Sequence, residues 1–193
     1  YAKVSLIESK IDSNGVAVVG NLIGAAGNNG LEVTGTDNLA IGLNLIGAAG
    51  NNGIYIRDGD NIVIGANAIG LTGGDGIDAG QVSDMLIIAN LIGLTGADGV
   101  RVVDGDNVTV RDNVIAATLG DGVHAENVND LEIDNNVLAL NADDGVDVRS
   151  SSNVVISDNN ISFSGDDGIY VNPSSNVTIR GNTIDNAGTN GIH

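Results

Sequence analysis

The chain has 193 residues, 29 glycines, one proline and no cysteine. Seven basic residues stand against 25 acidic ones, a net charge of −18, which argues against a phosphate-reading nucleic-acid surface, because such surfaces need Lys and Arg. Disulfides and thiolate metal sites are excluded, and no apolar run approaches the ~20 residues of a membrane span, so the expectation is a soluble chain with no membrane insertion.

In chain order, residues 1–12 fit the later pattern poorly. Lys3, Glu8, Lys10 and Asp12 give them the charge expected of an N-terminal cap, or of an irregular first coil, over an open strand edge. From residue 13 to residue 193 the chain is a repeat. Gly30, Gly53, Gly76, Gly99, Gly122, Gly145, Gly168 and Gly191 recur every 23 residues without a slip. Asn21, Asn44, Asn67, Asn90, Asn113, Asn136, Asn159 and Asn182 keep the same interval. A period of this size means units that stack on their neighbours.

The coil that starts at Gly53 shows the elements. Ile54-Tyr55-Ile56 alternates apolar and polar, as a half-buried strand does. Arg57 to Asn61 is turn chemistry, Ile62-Val63-Ile64 is a second strand, and Gly65-Ala66-Asn67 turns into a short third strand at Ala68-Ile69. The columns one, eleven and sixteen residues after each glycine hold Ile, Val or Leu and no charge, and so form the wall of a continuous interior. Helix is excluded by the spacing of two, the β-branched residues and the frequent Gly and Asn. The fold expected is all-β: a single-stranded parallel β-helix, or solenoid, of about eight coils with three short strands each. Its crossovers should be right-handed. The Asn column should hold a corner in the left-handed conformation and form an amide ladder along the rod.

Gly168-Ile-Tyr-Val-Asn-Pro-Ser-Ser-Asn-Val-Thr-Ile-Arg-Gly-Asn-Thr-Ile184 resembles the repeat of right-handed parallel β-helix proteins, the superfamily of pectate lyase-like proteins, NosD-like proteins and alginate C5-epimerases. The resemblance covers residues 13–193. It implies the right-handed β-helix and, for an enzyme, chemistry on an outer strand face. The Asp-Pro-His motif of the epimerases is absent, as are the Gly-His-Gly and Arg-Ile-Lys elements of polygalacturonases, and no coil carries an insertion that would wall a cleft.

Two columns are candidates for chemistry. The residue before each glycine is an aspartate in five successive coils, Asp75, Asp98, Asp121, Asp144 and Asp167. Stacked ~4.8 Å apart, they repel, and either raise some pKa values or recruit a cation, for which Ca²⁺ suits the oxygen set. Ordinary Asp-Gly turn chemistry with exposed, water-satisfied carboxylates is the alternative. The column two residues after each glycine is the most varied, and it should point outward. It puts His124 between Arg101 and Asp147, a set suited to acid–base work on a uronic-acid polymer.

Near the end, Asn190-Gly-Ile-His193 stops in mid-pattern, which leads to the expectation of an uncapped C-terminal edge and end-to-end stacking of the chain with itself. Three functions are compatible with these features. The first is a rigid acidic rod or scaffold from an extracellular or cell-surface protein, or an engineered version of one, with no cofactor required. The second is a fragment of a polysaccharide lyase or epimerase. The third is a solenoid that binds calcium or a surface.

Overall fold

A computed structural model of the chain describes residues 15–193; the cap expected over residues 1–12 lies outside the described residues. Among the described residues all regular structure is β-strand, and every pairing is parallel. The strands stack into two sheets, one of eleven strands and one of eight, the latter adding one strand per coil from Leu22–Ile23 to Thr183–Asp185. Pairing joins residues 23 apart throughout, as in Ile54↔Ile77, Val100↔Val123 and Ile115↔Leu138. The sequence period is therefore the register of the sheet.

Within a coil the first two expected strands run together. In four coils they are single 12-residue strands, among them Ile54–Gly65 and Val123–Asp134. Residues expected as an open turn are strand with two sharp bends, at Asp58 and Asn61, both with positive φ. The third strand is separate, as at Ala68–Thr72. The inward columns are fully buried: Ile54, Ile56, Ile62, Ile64 and Ile69 fill one layer, and Val123, Ala125, Leu131, Ile133 and Leu138 another.

Two columns explain the invariant residues. A Cβ on Gly53 would lie 2.5 Å from the Gly76 carbonyl oxygen and 2.5 Å from the Ile69 methyl. Glycine is required there by close approach, since neither atom is the loose end of a flexible side chain. The Asn column forms the expected ladder, but not in the left-handed conformation. The residue before each Asn, such as Ala66 or Asp112, takes the positive φ. The Asn itself is thereby freed to point inward. Asn67 Nδ2 donates to Asn90 Oδ1 at 3.0 Å and to the Ile41 carbonyl at 3.0 Å, and the Asn67 backbone N–H donates to the same Asn90 oxygen. Buried amides of this kind satisfy the backbone at a corner that no sheet hydrogen bond reaches.

Candidate functional site

The strand that follows each glycine sends its first and third residues into the core, so its second and fourth lie on the outer side. In-register pairing lines up the second residues as Tyr55↔Asp78↔Arg101↔His124↔Asp147↔Tyr170. The fourth residues add Arg57, Glu126 and Arg149 beside them. Three of the five arginines among residues 15–193 and both tyrosines of that span fall in this one row with His124, and His193 packs against Tyr170 at its end.

The aspartate column runs along one side of the row and is built into the backbone. Each Asp Oδ1 accepts the backbone N–H of its successor: Asp98 to Asp75 at 2.9 Å, Asp121 to Asp98 at 2.8 Å, Asp144 to Asp121 at 2.8 Å and Asp167 to Asp144 at 2.7 Å. Asp75, Asp121, Asp144 and Asp167 are buried, and Asp98 is partly so. The exposed, water-satisfied carboxylates of the turn-chemistry reading are not what the chain makes; the N–H of the next coil takes the place of water. Burial raises Asp98 and Asp144 to about 6, against the lowering effect of the N–H of Asp121 and Asp167 respectively. Burial also raises Asp75. Asp167 goes the other way, because hydrogen bonds from Asn190 and His193 outweigh its burial.

The second oxygens of Asp121 and Asp167 meet histidines, His124 and His193. His124 Nδ1 lies 3.2 Å from Asp121 Oδ2 and 3.0 Å from Asp147 Oδ2. Arg149 grips Asp147 in a fork, with Nε to Oδ1 at 3.0 Å and Nη2 to Oδ2 at 2.8 Å. Burial by itself would lower the His124 pKa, but the two carboxylates raise it to about 10. His124 is therefore an imidazolium at neutral pH, with Nδ1–H donating inward and Nε2–H turned toward Glu126, whose Oε2 is 3.9 Å away. Burial would raise Asp147, yet His124 and Arg149 hold it below the ordinary carboxylate range.

A second cluster sits three coils earlier. Arg57 Nη2 donates to both oxygens of Asp78, at 2.9 and 2.8 Å, and Arg101 reaches the same carboxylate at 3.4 Å. Aromatic rings close both ends: Arg57 stacks 4.2 Å over Tyr55, and Arg149 lies 5.5 Å from the Tyr170 ring. A shallow depression of about 360 Å³ opens beside the later cluster, lined by Asp144, Arg149, Asp166, Asp167, Tyr170 and Thr189.

The structure thus brings His124 and Asp147 together as expected and turns Arg101 away to Asp78. The row does not point outward uniformly. Asp147 has no exposure and Asp78 is 6% exposed, because arginines fold over them. Asp78 belongs to the varied column; Arg57 and Arg149 were not singled out from the sequence, and their signal is a cation two residues beyond that column, on the same side of a period-two strand. Of the aspartate column, ligand atoms of Asp98, Asp121 and His124 lie within 4.8 Å of one another, and so do those of Asp121, Asp144 and Asp147.

A family model described as a right-handed β-helix region matches residues 4–147 and 116–193, and the chain belongs to that family. Among solved structures, a double mutant of the periplasmic alginate epimerase AlgG is similar with a TM-score of 0.84 at 18% identity, over 90% of this chain and 46% of that one. The A-module of the Azotobacter vinelandii mannuronan C-5 epimerase AlgE4 is similar at 0.64 and 15%, over 88% and 61%. The enzymatically active domain of a bacteriophage CBA120 tailspike is similar at 0.59 and 8%, over 87% and 35%. The likeness is one of fold, and this chain spans about half the length of the epimerase AlgG. No relative is found among curated protein sequences.

Proposed function

We propose that this stretch of right-handed β-helix is the recognition face of an extracellular or periplasmic carbohydrate-active protein, and that it holds an acidic polysaccharide along the row from Tyr55 to Tyr170. The observation that carries the reading is the segregation of cations. In a chain of net charge −18, Arg57, Arg101, His124 and Arg149 share one outer row with both described tyrosines. The row follows the helix axis, one coil per ~4.8 Å, as a linear polymer would lie. Tyrosine rings offer sugar-stacking area with a polar tip. The imidazolium Nε2–H of His124 and the free guanidinium edge of Arg149 offer charge-assisted hydrogen bonds to a uronate carboxylate. The two similar epimerases act, by their names, on alginate and mannuronan, which fits a uronate ligand.

In this reading His124 neutralises charge and does not accept a proton, since it already carries one. The group poised to accept a proton near neutrality is Asp144, raised to about 6 and lining the depression with Arg149 and Tyr170. The cation held by the aspartate column is then His124 itself, in the place where Ca²⁺ was the sequence-based candidate.

The test is affinity electrophoresis in gels containing polymannuronate, polygalacturonate or a neutral glucan. Retardation by the uronates alone is expected, reduced several-fold in Tyr170→Ala. Equal migration in all three gels would dismiss the proposal. A second reading, the rigid rod, is favoured by the unbroken 23-residue register from Gly30 to Gly191, which leaves no loop long enough to wall a deep cleft. Migration unaffected by any glycan would leave that reading standing.

A further inference from the structure

The outer face of the eight-stranded sheet carries no charge over seven coils. Residues 21–27, 44–50, 67–73, 90–96, 113–119, 136–142 and 159–165 contain no Asp, Glu, Lys or Arg, in a chain with 25 acidic and 7 basic residues. These blocks present two apolar ridges. Leu22, Leu45, Leu91, Val114 and Val137 form the first, and all are more than two-fifths exposed. Leu71, Leu94, Leu140 and Phe163 form the second, all more than half exposed. A floor of Gly47, Gly70, Gly93, Ala116 and Ala139 runs between them.

A second, independent feature marks the same ridge. Leu94, Leu140 and Phe163 have φ of 55°, 58° and 57°. Bulky residues are disfavoured in that conformation. Elsewhere the chain mostly obeys the preference, with Asp58, Asn61, Asp104 and Asn107 at its other left-handed corners. At this corner large apolar side chains occupy strained positions and stand in water in three coils, whereas the corner before the Asn column does so once, at Leu43. Local stability gains nothing from that choice, so the strain points to a use for the ridge.

We propose that two copies of this chain associate through this face, sheet against sheet. The dimensions fit. Seven strands at ~4.8 Å and five residues at ~3.3 Å give a footprint of roughly 550 Å² per copy, or about 1,100 Å² for the pair, which clears the ~1,000 Å² of a specific interface. The period selects the partner. The knobs of both ridges stand at whole-coil intervals, with gaps at Ala68 and Asn160 in the first and at Ala25, Ala48 and Ala117 in the second, and only another parallel sheet repeats at that spacing; helix turns recur at ~5.4 Å and fall out of step. A two-fold pairing lets the ridge of one copy enter the glycine-alanine floor of the other, and it closes at two. Charge agrees as well: strongly acidic copies can approach only through a face without carboxylates, and added salt should tighten the pair.

The experiment is sedimentation velocity of the chain at micromolar concentration in low and high salt, beside Leu94→Asn/Leu140→Asn. Asparagine suits the left-handed corner, so this variant should fold at least as well, which its circular dichroism and melting temperature verify. A species of twice the chain mass, strengthened by salt and lost in the variant, is the result expected. A monomer under all conditions overturns the proposal. So does a dimer that persists in the folded variant, or an open-ended series of masses of the kind end-to-end stacking would give.

Discussion

Replacing Asp147 by asparagine removes one charge from a side chain with no solvent exposure and keeps its shape. Holding the His124 imidazole at about 10 in place of 6.5 corresponds to about 5 kcal/mol of net favourable interaction. Asp121 and Asp147 share it, so Asp147 supplies about 2–3 kcal/mol through the histidine. Arg149 also loses its fork, but its side chain is half exposed and water compensates it, so that loss adds little. The sum, about 3 kcal/mol, falls at the lower end of what removing one partner from a buried pair costs. At about 2–4 °C per kcal/mol for a chain of this size, the melting temperature should drop by roughly 6–12 °C. The sharper assay is NMR titration of the His124 ring. Wild-type protein should keep the imidazolium until the pH approaches 10, and Asp147→Asn should titrate much closer to 6.5. A wild-type midpoint near 6.5, or one unmoved by the substitution, refutes the reasoning.

Stability should fall in two steps as pH rises. Asp98 and Asp144 hold protons to about 6 in the fold and to 3.8 in the open chain; the folded state binds more protons between those values and loses stability across them. His124 does the same between 6.5 and about 10. Asp147 and Asp167 are held low, so stability is lost again as the pH falls below about 4. A melting-temperature maximum near pH 4–5 is the signature, and a maximum at pH 7–8 would contradict it. Calcium should raise the melting temperature more in His124→Gln than in wild type, because the substitution vacates the cation position between Asp121 and Asp147; equal shifts in differential scanning calorimetry would count against that. Gly99→Ala puts a methyl 2.6 Å from the Gly122 carbonyl and should cost about 1–3 kcal/mol. Gly93→Ala, whose Cβ finds only the Ala116 oxygen at 3.7 Å, should change thermal denaturation little.

The period made the fold legible. Each inward column could be read from a single coil, because parallel in-register stacking puts every residue over its own image 23 positions away. The aspartate column and His124 were legible for the same reason. The partners they chose were not, because those depend on which oxygen the backbone takes. Asp121 Oδ1 is spent on the Asp144 N–H, so Oδ2 alone is left to meet His124. Arg101 was expected beside His124 and is its register partner, yet its side chain reaches one coil back to Asp78. Exposure was misjudged at Asp78 and Asp147 because alternation says which side of a sheet a residue occupies, and says nothing of what folds over it.

The two outer faces divide the work of one repeat. On the long sheet, every coil places a polar residue two positions after the glycine, and the sequence varies it freely from Tyr55 to Tyr170. On the short sheet, every coil to Gly165 keeps charge out of seven consecutive positions, although a flat exposed strand face is where solubility would favour carboxylates. Neither choice follows from the needs of the core, which both faces share and which Ile, Val and Leu already satisfy. None of the acidic residues from Glu32 to Asp167 falls in those seven positions, while Arg57, Arg101, His124 and Arg149 share the outer row of the long sheet and Leu22, Leu45, Leu71, Leu91, Leu94 and Leu140 stand exposed on the short one, so the two proposed contacts, with a glycan and with a second copy, would use different faces.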